Sequence, residues 1–290
     1  MRIPTINLQR TSLEGIQSNL RAMDSAMRQL TSGNRVEVPS DDPAASRSII
    51  RTNSVLEENK QYSRNISRAR SLNTLQESVL DQVDELLVRG REIAIGQAGS
   101  TATEQTRLAA ASEVRGLIES MTDLANTRLG NRYIFAGLES GRPPLPTEDG
   151  APLPTGSTPI EIGPGRTVAP TESASRIFGD TGALAALEEL ALALETNNAS
   201  AIQQSSYELR ESQSQLQVLV AETGNLTNRL EAAGSRLEML EANLMQYRSD
   251  LRDVNFEEVI SELAARETAY QAALLATSRI LSQNLTDFLR

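Results

Sequence analysis

The sequence predicts a mostly α-helical protein: an elongated antiparallel helical rod, with both chain termini at one end and a small β-rich or loop lobe inserted at the other. Three observations support this fold class. Aromatic residues make up only 3 % of the chain and Trp is absent, a composition typical of long helices and coiled coils. Apolar residues recur at alternating spacings of three and four. Eight of the eleven prolines lie between positions 143 and 170, and proline interrupts helix interiors.

The first flank of the chain begins with a heptad seam that predicts a helix. Its apolar positions are Leu13, Ile16, Leu20, Met23, Met27 and Leu30. Gly33 follows as a helix stop, and Asp42 and Pro43 are the N-cap and first residue expected of a second helix, from about 44 to 97.

A third helix is expected to follow within the same flank. Thr101 and Glu104 have the spacing of a capping box, which predicts a helix that continues to about 128 and is closed by Gly130. The next residues, Tyr133 to Gly137, favour a strand and a turn.

The second flank mirrors the first. A short helix after Asp180 has apolar residues at Leu184, Leu187, Leu190 and Leu194. A longer run keeps the alternation of three and four without slippage and cannot be a strand: Leu216, Leu219, Thr223, Leu226, Leu230, Ala233, Leu237, Leu240, Leu244, Tyr247 and Leu251. Asn255 and Glu258 repeat the capping pattern of a last helix. We expect this helix to bury an apolar seam of Phe256, Val259, Leu263, Tyr270, Leu274, Thr277, Leu281, Leu285 and Phe288.

These narrow apolar stripes predict that the helices pair, because none could stand alone in water. We expect the first helix to pack against the last, and the second against the helix over 200–251. This gives three predicted parts: a terminal coiled-coil assembly domain (1–42 with 252–290), a long-helix rod domain (43–136 with 180–251) and a small Pro/Gly-rich lobe (137–179). For the lobe, short strands at 159–163 and 166–168 are favoured over a disordered polyproline-like loop.

Composition limits the possible functions. The chain has no Cys and no His, which excludes zinc enzymes and Ser-His-Asp hydrolases. A net charge of −10 without a basic cluster predicts no nucleic-acid partner, and no apolar run approaches the ~18 residues of a membrane span. The N-terminus lacks the apolar core of a signal peptide, so any export is expected to proceed without a cleaved signal.

Carboxylates provide the remaining possibility of catalysis. Glu37, Asp41 and Asp42 lie close together, but they adjoin a predicted helix start, where acidic residues complement the helix dipole. We therefore predict no enzyme activity, no catalytic residue, no cofactor and no metal site.

Three stretches together carry a resemblance to a known family. They are LTSGNRVEVPSDDPAA (30–45), LANTRLGNRYIFAG (124–137) and DVNFEEVISELAARETAYQAALLATSRILSQNL (253–285). In this order they resemble the flagellin family of bacterial flagellar proteins, and within it the branch that joins the hook to the filament. The fold is accordingly expected to be a rod of flagellin type.

The resemblance implies a location and a set of partners. It implies an extracellular flagellar subunit exported through the type III apparatus. Its expected partners are other copies of itself in a ring, the upstream hook-associated junction protein, flagellin, and an export chaperone at the C-terminal helix. The terminal helices, about 1–40 and 255–290, would contact neighbouring subunits. The candidate interface residues are Leu13, Ile16, Leu20, Met23, Met27, Leu30, Leu263, Leu274, Leu281, Leu285 and Phe288.

Two other interpretations of the helical pattern stay open from the sequence. The chain ends in Leu-Arg, which is flagellin-like, so the filament subunit itself is one alternative. A non-flagellar helical scaffold, such as the rod of a receptor, is the other. It would need a transmembrane segment or a sensor module, and the sequence has neither.

Overall fold

The computed structural model describes residues 3–100, 102–139, 141–145 and 152–288, with side chains described from 10 to 279. Most of these residues are helical, as predicted. The helices are α1 (Ile3–Ser32), α2 (Pro43–Gln97), α3 (Glu104–Ala125), α4 (Ala183–Glu195), α5 (Ala199–Arg252) and α6 (Phe256–Phe288), with a π-helix at Ser175–Asp180. The described strands form two antiparallel pairs, β1 (Arg128–Leu129) with β2 (Arg132–Tyr133) and β3 (Ile160–Gly163) with β4 (Arg166–Val168).

The chain divides into two compact units. One comprises Met1–Glu58 with Leu240–Arg290, and the other Asn59–Met239. Both α2 and α5 therefore contribute to both units. The predicted division into three parts has different boundaries and stays a prediction.

In the first unit, the two expected helix boundaries are confirmed. α1 ends just before Gly33, whose φ of +70° is costly for any residue with a Cβ. Asp42 caps α2, because its Oδ1 accepts hydrogen bonds from the backbone N–H groups of Ala44 and Ala45. Pro43 is the first helical residue, where its missing N–H costs nothing.

A short backbone joint links the two helix breaks of this unit. Asn34 and Asp253 form an isolated antiparallel bridge, and the N–H of Val254 donates to the carbonyl of Gly33. Arg35 donates from its N–H to the Arg252 carbonyl and from its guanidinium to the Leu251 carbonyl. From this joint α1 and α6 run side by side and pack against each other, as the sequence predicted.

In the second unit, α2 and α5 pair in antiparallel fashion, which confirms the second predicted pairing. Buried amides join them at several levels. Asn59 donates to the Leu237 carbonyl, and Asn73 donates to the Thr223 carbonyl. Gln76 donates to the Thr223 hydroxyl and accepts from the Glu172 N–H, so it also ties down the segment before the π-helix. Such buried polar contacts are satisfied in only one alignment of the two helices.

The apolar core of this unit lies where α4 and the π-helix cover α2, α3 and α5. Leu187, Leu190, Leu194 and Leu209 are fully buried there. Phe135 and Phe178, both buried, contact edge to face with their ring centroids 6.0 Å apart. Of the predicted leucine positions of the short helix, Leu187, Leu190 and Leu194 are thus confirmed as core, whereas Leu184 is half-buried against it.

The expected boundaries of the third helix were wrong. α3 begins at Glu104 and is capped by Thr103, which forms a capping box with Thr106, while Thr101 lies outside the described residues. The helix ends at Ala125 because the side chain of Asn126 exchanges two hydrogen bonds with the backbone of Leu145. Gly130, with φ +65°, lies in the turn between β1 and β2 instead of closing the helix.

The segment between the flanks contains the expected hairpin of β3 and β4. Gly137 explains how the rest of the segment packs. Its φ is +58°, and a Cβ placed on it would lie 2.3 Å from the carbonyl oxygen of Thr155. The chain near 155 therefore passes directly over this glycine, and only glycine fits there.

Candidate assembly interface

The predicted interface residues of α1 separate into two rows on the helix. Ile16, Met23 and Leu30, spaced by seven, are half-buried on the side that also carries the buried Ala26. Leu13, Leu20 and Met27, also spaced by seven, remain 55 %, 53 % and 58 % exposed. We call these three residues the α1 outer row. The heptad stripe is therefore wider than α6 can cover.

A groove runs between α1 and α6 at the middle of the outer row. It has a volume of about 460 Å³ and is lined by Leu20, Arg21, Met23, Asp24, Met27, Leu263 and Glu267. Leu263 is half-buried in it, whereas Leu274, farther along α6, is 44 % exposed. Leu281, Leu285 and Phe288 belong to α6, but their side chains lie outside the described residues.

The charged side chains beside the outer row are paired weakly. Arg28 contacts Asp24, and Arg10 contacts Glu14, each one helical turn away and well exposed. Exposed pairs of this kind contribute little to stability. Among the described residues, Arg21 forms no ion pair, and its Nε donates to the Gln17 carbonyl. The groove beside the row therefore carries charges of both signs, because Glu267 lines it together with Arg21.

Two predictions of burial on α6 were wrong, since Leu274 and Phe256 are both exposed, and some exposed apolar residues were missed. Val259 is buried as expected, but Phe256 is 52 % exposed because its ring rests on the turn at Gly33 with one side open. Ile260 and Leu275 are exposed apolar residues that the periodicity did not single out. Ala26 could have been predicted, since it stands three residues after Met23 and four before Leu30.

Of the carboxylates considered for catalysis, Asp41 and Asp42 instead hold the turn and the helix start at α2. Asp41 Oδ2 accepts hydrogen bonds from the N–H groups of Val38 and Glu37, which lower the pKa of Asp41. The N–H of Ala45 in the same way lowers the pKa of Asp42. A lowered carboxyl pKa is unsuited to a general acid or base near neutral pH.

Two further features of the described residues bear on function. They contain no grouping of three or more acidic side chains able to hold a metal ion. None of the helices in this part of the chain has the length and apolarity needed to cross a bilayer.

Comparison with known families gives two matches at the two flanks. The model of the bacterial flagellin N-terminal helical region matches residues 3–140, and that of the bacterial flagellin C-terminal helical region matches residues 200–289. The regions that pair in the fold are therefore the regions that match.

Two relatives resemble the chain over nearly its whole length, and a solved structure resembles about two thirds of it. Flagellar hook-associated protein 3 of Escherichia coli (strain K12) is 27 % identical over 304 residues, covering 95 % of this chain and 96 % of that protein. A flagellin of Halalkalibacterium halodurans is 25 % identical over 292 residues, covering 99 % and 98 %. The crystal structure of flagellar hook-associated protein 3 from Legionella pneumophila superposes with a TM-score of 0.64 at 13 % identity, covering 70 % of this chain and 98 % of that one. This last likeness bears on the fold alone.

Proposed function

We propose that this chain, which belongs to the bacterial flagellin family through its N-terminal and C-terminal helical regions, is a structural subunit of the flagellum that joins the hook to the filament. Its likeness to hook-associated protein 3 extends over 95 % of the chain. The family consists of structural flagellar proteins, so the function to be explained is assembly and not catalysis.

The observation that carries the proposal is the incompletely covered terminal helix pair. α1 and α6 pack together, yet the α1 outer row stays more than half exposed along its whole length. Burying apolar surface contributes about 25 cal/mol per Å², so an exposed row at helical spacing favours contact with a further helix. A subunit that polymerises through its termini requires such a surface.

The proposal extends to the interface residues. We assign subunit contact to the α1 outer row, with Leu274, Leu281, Leu285 and Phe288 on α6. Ile16, Met23, Leu30 and Leu263 act mainly within the chain, because they are half-buried between the paired helices. The direct partners would be other copies in a ring, the hook-associated protein on the hook side and flagellin on the filament side.

Export is a second part of the proposal. We place the protein outside the cell, at the hook–filament junction, delivered through the flagellar export apparatus without a cleaved signal. An export chaperone would bind α6 beforehand and cover its exposed apolar residues, which include Ile260 and Leu275.

The main alternative function is that of the filament subunit, flagellin. The likeness to a flagellin covers nearly the whole chain at 25 % identity, slightly below the 27 % of the hook-associated protein. Polymerisation separates the two. A flagellin extends filaments of itself without limit, whereas a junction subunit stops at a short ring.

The test replaces the chromosomal gene with variants and isolates flagella. Leu20→Ser, in the α1 outer row, should abolish filaments on hooks and release flagellin into the medium. Leu108→Ser on α3 is the matched control, since Leu108 is 48 % exposed and outside the terminal helices. Normal motility in the Leu20→Ser cells, with the variant present in their flagella, would contradict the assigned interface. Long filaments grown by the purified chain alone would identify a flagellin.

A further inference from the structure

Sulfur in this chain is confined to methionine, because the sequence has six Met and no Cys. The methionines whose side chains are described differ widely in exposure. Met121 is fully buried in the core, and Met23 is half-buried. By contrast, Met27, Met239 and Met245 are 58 %, 62 % and 42 % exposed. Oxidants reach exposed thioethers first, so these three are the described positions at which oxidation begins.

Met27 differs from the other exposed methionines in its surroundings. It is the last member of the α1 outer row, and it lines the groove between α1 and α6 together with Met23, one helical turn earlier. Met239, on α5, instead has the polar residues Arg236 and Asn243 one turn away on either side. Oxidation of Met27 therefore alters an apolar surface, whereas oxidation of Met239 alters a surface that is already polar.

We propose that Met27 is a site of reversible oxidation that controls assembly. A two-electron oxidant such as hydrogen peroxide converts its thioether to the sulfoxide, and the oxidised subunit is not incorporated. In this step the O–O bond breaks, one oxygen forms a bond to sulfur, and the other leaves with both hydrogens as water, so sulfur is oxidised and peroxide is reduced. The inference rests on the proposed function, since it concerns the regulation of the contact assigned to the α1 outer row.

The sulfoxide weakens contact between subunits and leaves the free subunit folded. Its oxygen is a strong hydrogen-bond acceptor, and packing it against an apolar surface removes it from water without supplying a donor. In the free subunit Met27 is more than half exposed, so the oxygen stays hydrated and α1 keeps its contact with α6. Met121 is enclosed by the core, so mild oxidation does not reach the interior of the second unit.

The reaction acts on subunits before they assemble. Once the α1 outer row is covered by a neighbouring subunit, Met27 is no longer open to the oxidant. Methionine sulfoxide reductases convert the sulfoxide back to the thioether, so a subunit oxidised inside the cell is recovered. Oxidation thus withholds damaged subunits from the structure and leaves the subunits already in place unaffected.

A binding assay on isolated hooks tests the proposal. The full chain, Met27→Leu and the matched control Met239→Leu are treated with dilute hydrogen peroxide, and mass spectrometry of tryptic peptides measures the sulfoxide at each position. Each protein is then incubated with hooks from cells that lack the native gene, and the amount that sediments with the hooks is compared with that of the untreated protein. We expect oxidation to lower the binding of the parent chain and of Met239→Leu by about tenfold, and that of Met27→Leu by about twofold at most.

Reduction provides a second measurement, which needs no substitution. Sulfoxide reductases should restore the binding of the oxidised parent chain, and its thermal unfolding by circular dichroism should stay the same throughout. Binding that persists when Met27 is fully oxidised, or that falls equally in Met27→Leu, overturns the proposal and leaves the proposed function intact. Binding that does not return after the reductases have removed the oxygen from Met27 also overturns it. If the untreated parent chain does not bind the hooks, the proposed function itself fails, and this inference fails with it.

Discussion

At Gly90, α2 packs closely against other helices in the core of the second unit. A Cβ placed there would lie 2.6 Å from Cδ2 of Leu187 and 3.6 Å from Cδ1 of Leu209. Both leucines are fully buried, so neither can move aside into solvent. Substituting Gly90 by Ala should therefore force α4 and α5 away from α2.

Two opposing effects determine how much Gly90→Ala changes the free energy of unfolding. Replacing Gly by Ala inside a helix normally stabilises by about 1 kcal/mol. Overpacking a core costs about 1–3 kcal/mol, and a 2.6 Å approach between carbon atoms favours the upper end. The net expectation is a loss of about 2 kcal/mol in the free energy of unfolding.

The matched control is Gly116→Ala. Gly116 lies inside α3, is exposed, and has no atom within 4 Å of its hypothetical Cβ. This variant should gain about 1 kcal/mol, so the two alanines should differ by about 3 kcal/mol. Urea unfolding followed by far-ultraviolet circular dichroism measures both against the parent chain.

A double substitution shows whether the cost comes from the leucine contact. In a Leu187→Ala background the obstructing methyl group is gone, so Gly90→Ala should no longer destabilise. Such dependence between neighbouring sites is a coupling energy, expected here to be about 3 kcal/mol. If Gly90→Ala stabilises the parent chain as Gly116→Ala does, the close packing of α2 against α4 and α5 is refuted.

Three other substitutions test separate features. Gly137→Ala should accelerate proteolysis of the segment at 152–158, because the added methyl group meets the backbone packed over it, whereas Gly141→Ala, with open space, should not. Arg107 is buried and donates to carbonyls at Gln97 and Gly99, so Arg107→Met should cost about 3 kcal/mol in urea unfolding, and an unchanged midpoint would refute its role. A hydrogen bond with Glu208, followed by repulsion from its charge, raises the pKa of Glu189. The folded state therefore binds this proton more tightly than the unfolded state does. As a result, the free energy of unfolding falls as the pH rises through the raised pKa. Glu189→Gln should therefore raise the melting temperature at neutral pH, with a gain that disappears below the ordinary glutamate pKa; a gain that persists in acid would contradict this.

Much of the helical framework could be predicted because its determinants are local. Gly33, Asp42 and Pro43 act through their own backbone preferences, and the structure places the helix boundaries where they indicate. Heptad spacing likewise identified the helices that pair. The spacing could not show that Ile16 is half-buried while Leu20 is exposed, because the position of α6 decides which row of α1 is covered.

The missed features depend on contacts between distant parts of the chain. α3 stops where Asn126 hydrogen-bonds to Leu145, nineteen residues away along the chain. At the start of α3 the N-cap is Thr103 and not Thr101. The two threonines are only two residues apart, so the capping pattern in the sequence fits either of them. The π-helix at Ser175–Asp180 had no predictive signal, and neither did the burial of Arg107, whose acceptors come from two segments, at 97–99 and at Asn197.

The joint between Asn34 and Asp253 has a consequence for the order in which the chain folds. Its two sides are more than two hundred residues apart, so during synthesis the first side exists long before the second emerges from the ribosome. Until then α1 lacks α6, and Ile16, Met23 and Leu30 are as accessible as the outer row. The nascent N-terminal segment therefore presents its full apolar width to any binder for most of translation, and only the last part of the chain restricts it to a single row.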